Sequence, residues 1–222
     1  MAAGTLACGV GAGAGLLDTW LAADPHAMQR RHLQWHAALQ SIAAGDFADA
    51  RQRADTELHH DDVGMRSAAN WRLLLAGQAP ARAADLDHIH RLLAEPGGWA
   101  ETFHSFQLAL GLAVAGDTDS LRGLARRAAA DPRPDYTDVL APVAHALAHI
   151  TDSRPGPALD LLTALGEQTE RIGGVRVERE IIQDTLARAL IDAGEPGRAA
   201  HLLHHRTSTR RHHRYEDLLL AP

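Results

Sequence analysis

The sequence predicts an all-α fold, an α-α superhelix of about 10–12 helices stacked as antiparallel hairpins, and three observations carry that prediction. Of 222 residues, 45% are hydrophobic but only 4% aromatic, and alanine and leucine supply most of the apolar content. Helices pack with that palette, whereas sheets favour β-branched and aromatic residues. Apolar residues also recur at i, i+3, i+4 and i+7, as in Trp35, Ala38, Leu39, Ile42, then Val143, Ala146, Leu147, Ile150, then Ala158, Leu161, Leu162, Leu165. Each such segment buries one stripe. Finally, Ala44-Gly45-Asp46, Ala76-Gly77-Gln78, Ala115-Gly116-Asp117 and Ala193-Gly194-Glu195 each close one apolar run and open another.

Glycine ends a helix by adopting the left-handed conformation, and an acidic or polar residue after it suits the positive start of the next helix. The glycines are 32, 39 and 78 residues apart, and Thr151-Asp152-Ser153-Arg154-Pro155-Gly156 interrupts the last, double step near its middle. Five breaks at this period predict a helical-hairpin repeat. One hairpin cannot cover its own stripes, so neighbours stack and the terminal units need polar outer faces. The length fits one helical-repeat domain over 1–222. A glycine-diluted start over 1–15 is expected to be frayed or disordered, and 207–222 to form a C-terminal capping helix.

A net charge of −6 and a pI near 6.2 leave no electrostatic footprint for a nucleic acid or an anionic membrane. All 22 basic residues are arginine, as in a high-GC bacterial genome. The single cysteine, Cys8, rules out an intramolecular disulfide and a cysteine zinc site and is in keeping with the cytoplasm. Thr5-Leu6-Ala7-Cys8 is no lipoprotein box, because no basic residue precedes Arg30. No run of about 18 apolar residues predicts a membrane span. Gly9, Gly11, Gly13 and Gly15 lack the preceding strand and following acidic residue of a dinucleotide loop, so no cofactor is expected.

Two histidine pairs, His32/His36 and His145/His149, stand at i, i+4 and so share a helix face, as metal ligands do. No His-Glu-x-x-His sequence accompanies them, and partly exposed histidines are the alternative reading. His145 and His149 lie off the apolar stripe of their helix, and His201, His204 and His205 form a third group. Gly173-Gly174, followed by Arg176 and Arg179, is either an anion-binding helix start or a tight turn with Arg179 paired to a neighbouring carboxylate. Arg206, Arg210, Arg211 and Arg214 read as a solvated basic face or a phosphate contact. Trp35, Trp71 and Trp99 fall in three different units and are expected to wedge between helices. Trp35 with His36, and Trp71 with Arg72, are anchor types of a binding surface if they line the inner groove. No serine–histidine–acid, cysteine–histidine or phosphate-loop pattern stands out.

Gly45-Asp46-Phe47-Ala48-Asp49-Ala50 is similar to the turn between the helices of a tetratricopeptide repeat. Over most of its length the chain resembles the family of proteins similar to tetratricopeptide repeat protein 38. The residues in question are Trp35-His36-Ala37-Ala38-Leu39 with Gly45-Asp46-Phe47, Ala69-Asn70-Trp71-Arg72-Leu73 with Gly77, and Leu140-Ala141-Pro142 with Ala146-Leu147. Ala158-Leu159 with Leu161-Leu162, and Arg171-Ile172-Gly173-Gly174 with Arg179-Glu180, continue the family order. Where the family has an Asp-x-His pair after a phenylalanine, this chain reads Phe103-His104-Ser105-Phe106-Gln107. Its members are longer, and the chain is similar to their C-terminal half. The resemblance implies a tetratricopeptide-like fold and no particular activity. The expected function is a binding or scaffolding module for a protein or peptide partner or a second copy, with self-association through the first helices. The alternative is a small-molecule or metal-dependent enzyme using the histidine pairs and the Gly173-Gly174 turn.

Overall fold

The computed structural model describes residues 10–59, 62–82, 85–210 and 212–221, with side chains described from Leu17 onward. Among the described residues every regular element is helical. The α-helices are α1 Val10–Ala23, α2 Arg30–Ala44, α3 Phe47–Thr56, α4 Val63–Leu75, α5 Leu86–Ala94 and α6 Thr102–Ala115. They continue as α7 Thr118–Ala129, α8 Ala141–Thr151, α9 Pro155–Leu165, α10 Arg176–Asp192, α11 Pro196–Thr209 and α12 Arg214–Leu219. Of the opening expected to be frayed, residues 1–9 lie outside the described residues, and from Val10 the chain is helical.

All five breaks close in one way. Gly45, Gly77, Gly116 and Gly194 take φ of 82°, 70°, 75° and 79°, and Ser153 fills the same role at 57°. The next N–H then donates to the carbonyl five residues back: Asp46 to Ser41, Gln78 to Leu73, Asp117 to Leu112, Arg154 to His149 and Glu195 to Leu190, all within 2.8–3.0 Å. That bond satisfies a carbonyl the helix end leaves without a partner. Asp46 and Asp117 start the next helix by accepting from the N–H groups of Asp49 and Ser120 at 3.1 and 3.0 Å. Pro155 and Pro196 open α9 and α11, where a missing N–H costs nothing. Among the described residues, only Ser153 holds a β-carbon in the left-handed region. Ser153→Gly is therefore expected to stabilise the protein by about 0.5–1 kcal/mol, read as a higher urea midpoint; a lower midpoint rejects this account of the turn.

The short turns pair α2 with α3, α6 with α7, α8 with α9 and α10 with α11. Helix α4 lies between α2 and α6, and α8 packs against both α6 and α7. At Gly111 a β-carbon would come within 2.9 Å of Ser67 Oγ, so α6 approaches α4 more closely than a side chain permits. The chain then returns on itself: α10 packs on α4, and α12 packs on α2. Trp71 joins the two sides, its Nε1 donating to Thr185 Oγ1 at 2.9 Å. One cluster of buried residues runs from Ile42 to Leu219, with smaller ones around Trp35 and around Leu159, Leu190 and Ala199. In the segment expected to cap the chain, α11 extends to Thr209 and α12 is a six-residue helix seated on the N-terminal hairpin.

A second tie surrounds the third buried tryptophan. Trp99 Nε1 donates to Asp131 at 2.8 Å, Arg133 binds the same carboxylate through Nε and Nη2, and Tyr136 donates to the Trp99 carbonyl at 2.9 Å. The Arg133 guanidinium, opposed by burial, holds the Asp131 carboxyl well below the usual carboxylate range. A carboxylate depressed in the folded state stabilises above its unfolded value, about pH 4, and loses that contribution as pH falls through the folded one. Asp131→Asn is expected to lower Tm at pH 7 and to flatten its decline below pH 4. Parallel Tm–pH curves for the two proteins would reject this.

Candidate functional site

The residues singled out by sequence do not gather in one place. Trp35, 1% exposed, fills the small cluster with Ala54, Leu58 and Ala81, and Trp71, 4% exposed, sits at the α4–α10 contact. On α2, His32 and His36 bring their Nε2 atoms within 3.0 Å. Burial, then the charge of His32, lowers the His36 value. On α8, His145 is exposed and His149 half-buried. Burial, followed by Arg154 and His145, lowers the His149 value. Among the described residues, no three histidine, cysteine, aspartate or glutamate side chains gather as a metal would need.

Gly173 and Gly174 take φ of 87° and 71°, and a β-carbon on Gly174 would come within 2.5 Å of the Phe103 ring. The start of α10 meets a carboxylate of its own: Glu178 accepts from the Val175 N–H at 2.7 Å. Arg179 donates to the Gly174 carbonyl, and Arg176 Nε lies 3.3 Å from Glu180. Both arginines thus have partners within the turn and its helix.

The densest chemistry lies where α10, α11 and α12 close against α2 and α4. Glu180 and Asp184 stand four apart on α10, and Arg206 and Arg210 four apart along the end of α11. The spacing puts each pair on one face, so the acids meet the arginines across the hairpin. Arg206 holds Asp184 at 2.5 Å and lies 3.7 Å from Glu180 and 3.8 Å from Glu216. Arg210 grips both oxygens of Glu180, at 2.6 and 2.7 Å, and reaches Glu216 at 2.9 Å. From α4, Arg72 places Nε 3.4 Å from Asp184 and donates through Nη2 to the Val177 carbonyl. Tyr215 donates to Asp184 at 3.3 Å.

Burial pushes the Glu180 carboxyl up, but the Arg210 hydrogen bonds and the charges of Arg210, Arg206 and Arg72 bring it below its ordinary value. Burial pushes the Arg206 guanidinium down, but the charge and hydrogen bond of Asp184, with the charges of Glu180 and Glu216, together raise it above its ordinary value. Burial and the Asp184 charge push the Tyr215 hydroxyl well up, so it stays a donor. The group walls a cavity of about 420 Å³ that also touches His36, Leu39, Ile42 and Val177. A second cavity of about 340 Å³, bordered by Arg176 and His205, adjoins it through Glu180 and Arg210. Of the residues expected at a site, His36, Arg72 and Arg176 come together here, while the two buried tryptophans serve packing.

A larger cleft, about 1040 Å³, lies elsewhere, between α9, α10 and α11. Leu162, Ile182, Leu186 and Leu202 form its floor, with Glu170, Arg171, Arg198 and His201 along its edge. It is bigger than the buried charge cluster's cavity but holds no comparable set of ionic contacts.

No helix among the described residues is long and apolar enough to cross a membrane. Comparison with protein-family models, curated proteins and solved structures found no match.

Proposed function

We propose that this chain is a tetratricopeptide-like helical-repeat module, related to the proteins similar to tetratricopeptide repeat protein 38, that binds a peptide segment of a protein partner in the cytoplasm. The observation carrying this reading is the recurrence of one helix-ending turn at five breaks, four of which lead directly into a helix packed on the one before, as stacked hairpins require. The cleft between α9, α10 and α11, with its leucine floor and charges of both signs along its edge, fits the apolar face of an amphipathic segment. A photo-crosslinking residue at the exposed, cleft-lining Gln183 is expected to capture one recurrent partner, which the same residue at Arg126 does not. Thr163→Trp, which fills the cleft from an exposed position, is expected to abolish capture at unchanged Tm. Identical products from both positions reject the reading.

Self-association is the second binding mode this reading allows, since Trp20 and Met28 are 46% and 95% exposed beside the first hairpin. The enzymatic alternative rests on the close His32 and His36 nitrogens. Metal analysis of untagged protein separates the classes: near one equivalent per chain, lost in His32→Ala, favours the enzyme.

A further inference from the structure

The cleft between α9, α10 and α11 carries charge that its own fold does not balance. Two arginines stand on its edge, and both are engaged: Arg171 by Asp135 and Asp138 at 3.2 and 3.1 Å, and Arg198 by Glu195 at 2.6 Å. Two carboxylates, Glu167 and Glu170, line the same cleft and are exposed. Among the described residues neither has an ion-pair partner or a side-chain hydrogen bond. With the arginines' partners counted, two cations stand against five carboxylates at this rim.

The placement gives that imbalance a direction. Glu167 and Glu170 belong to the 3-10 turn Gly166–Ile172, where residues three apart eclipse one another. Both carboxylates therefore leave the turn on one side, and like charges so placed repel until a cation from outside joins them. The floor beside them is apolar. Ile182, Leu186 and Leu190 follow at i, i+4 and i+8 along α10, and Leu186 and Leu202 are only half-buried. That ridge spans about 12 Å, a little over two helical turns. Helices α9 and α11 both pack on α10 and both line the cleft, so the floor lies in a trough between helices, where an amphipathic helix lays down its apolar face.

We infer that the segment this cleft takes is a basic amphipathic helix of another protein, its apolar residues on Leu186 and Leu202 and its arginines or lysines opposite Glu167 and Glu170. The inference rests on the peptide-binding reading and adds the partner's conformation and charge to it. A second copy of the chain does not supply this helix through α1, where Trp20 is exposed: the one charged residue of α1, Asp18, is an acid, and Arg53 binds it at 2.8 Å.

The test is selection of a random linear peptide library, displayed on phage, against the full chain, with affinities then measured on the synthetic peptides it returns. Peptides retained by the full chain but not by the Thr163→Trp protein are the cleft-dependent ones. They are expected to space apolar residues at i, i+3, i+4 and i+7 and to carry a net positive charge. Glu167→Lys with Glu170→Lys changes two exposed positions that have no partner to lose, and Tm is expected to hold. The double variant is expected to weaken the tightest peptide at least about tenfold at low ionic strength, because like charges then meet across the interface. That difference is expected to shrink as salt rises. Cleft-dependent peptides that are neutral or acidic, or that bind the double variant as tightly, overturn the inference and leave peptide binding standing. The absence of any cleft-dependent peptide removes both.

Discussion

Replacing Arg206 with alanine is expected to cost about 3–5 kcal/mol of folding stability, the usual result of breaking a buried ion pair from one side. Asp184, at 0% exposure, loses its 2.5 Å partner, and Glu180 and Glu216 lose a cation within 4 Å. Arg72 and Tyr215 remain beside Asp184, but at 3.4 and 3.3 Å they are too long to replace it. For a chain of this size the corresponding fall in Tm is on the order of 10 °C. The double replacement Arg206→Met with Asp184→Leu removes both charges and is expected to recover most of the loss, since a hydrophobic pair of similar volume often equals a buried ion pair. Calorimetry on the two proteins decides it. A loss below about 1 kcal/mol for Arg206→Ala would place the pair among exposed bridges, whose contributions are that small.

Trp71→Ala is expected to be as damaging by another route, about 3–5 kcal/mol, through the void left by a large buried ring. The α4–α10 contact depends on this side chain for both packing and its hydrogen bond to Thr185. Trp71→Phe separates the two contributions. Thr185 still donates to the Ile181 carbonyl at 2.7 Å, so the phenylalanine protein loses one bond, about 1 kcal/mol, along with part of the ring's contact area. Chemical denaturation of both variants tests this: equal losses would mean that the hydrogen bond, not the volume, holds α4 to α10.

The hairpin breaks were legible because their cause is local. A glycine followed by an acid or amide appears in the sequence as a turn, and it folds as one whichever helix lies opposite. Ser153 shows how far that logic reaches: the break was readable from its polar run and proline, although the residue adopting positive φ was not a glycine. The charge cluster was half legible. Glu180 with Asp184, and Arg206 with Arg210, are i, i+4 pairs on successive helices, a pattern that already points them at each other. Arg72 joins only through contacts more than a hundred residues away, and Glu216 meets Arg206 and Arg210 across the turn between α11 and α12, which no helical periodicity encodes. The basic face expected from Arg206 and Arg210 is therefore turned inward, each arginine facing carboxylates of α10 and α12. The sequence leaves the glycine pair before α10 as an anion-binding start or a tight turn; its positive φ values are legible, but its approach to the Phe103 ring and the Arg179 bond to the Gly174 carbonyl are set by packing that no local pattern encodes.

The seating of α12 on α2 and of α10 on α4 bears on how the molecule comes apart. An open array of repeats unfolds piecemeal, since each unit leans only on its neighbours and the ends fray first. Here the last helices rest on the first, and neither end can melt without exposing the other. Unfolding is then expected as a single concerted transition, with the slowest amide exchange shared between α4 and α10. Folding carries the complementary burden: contacts between segments more than a hundred residues apart form only after a long loop has closed, which slows the search for the native state.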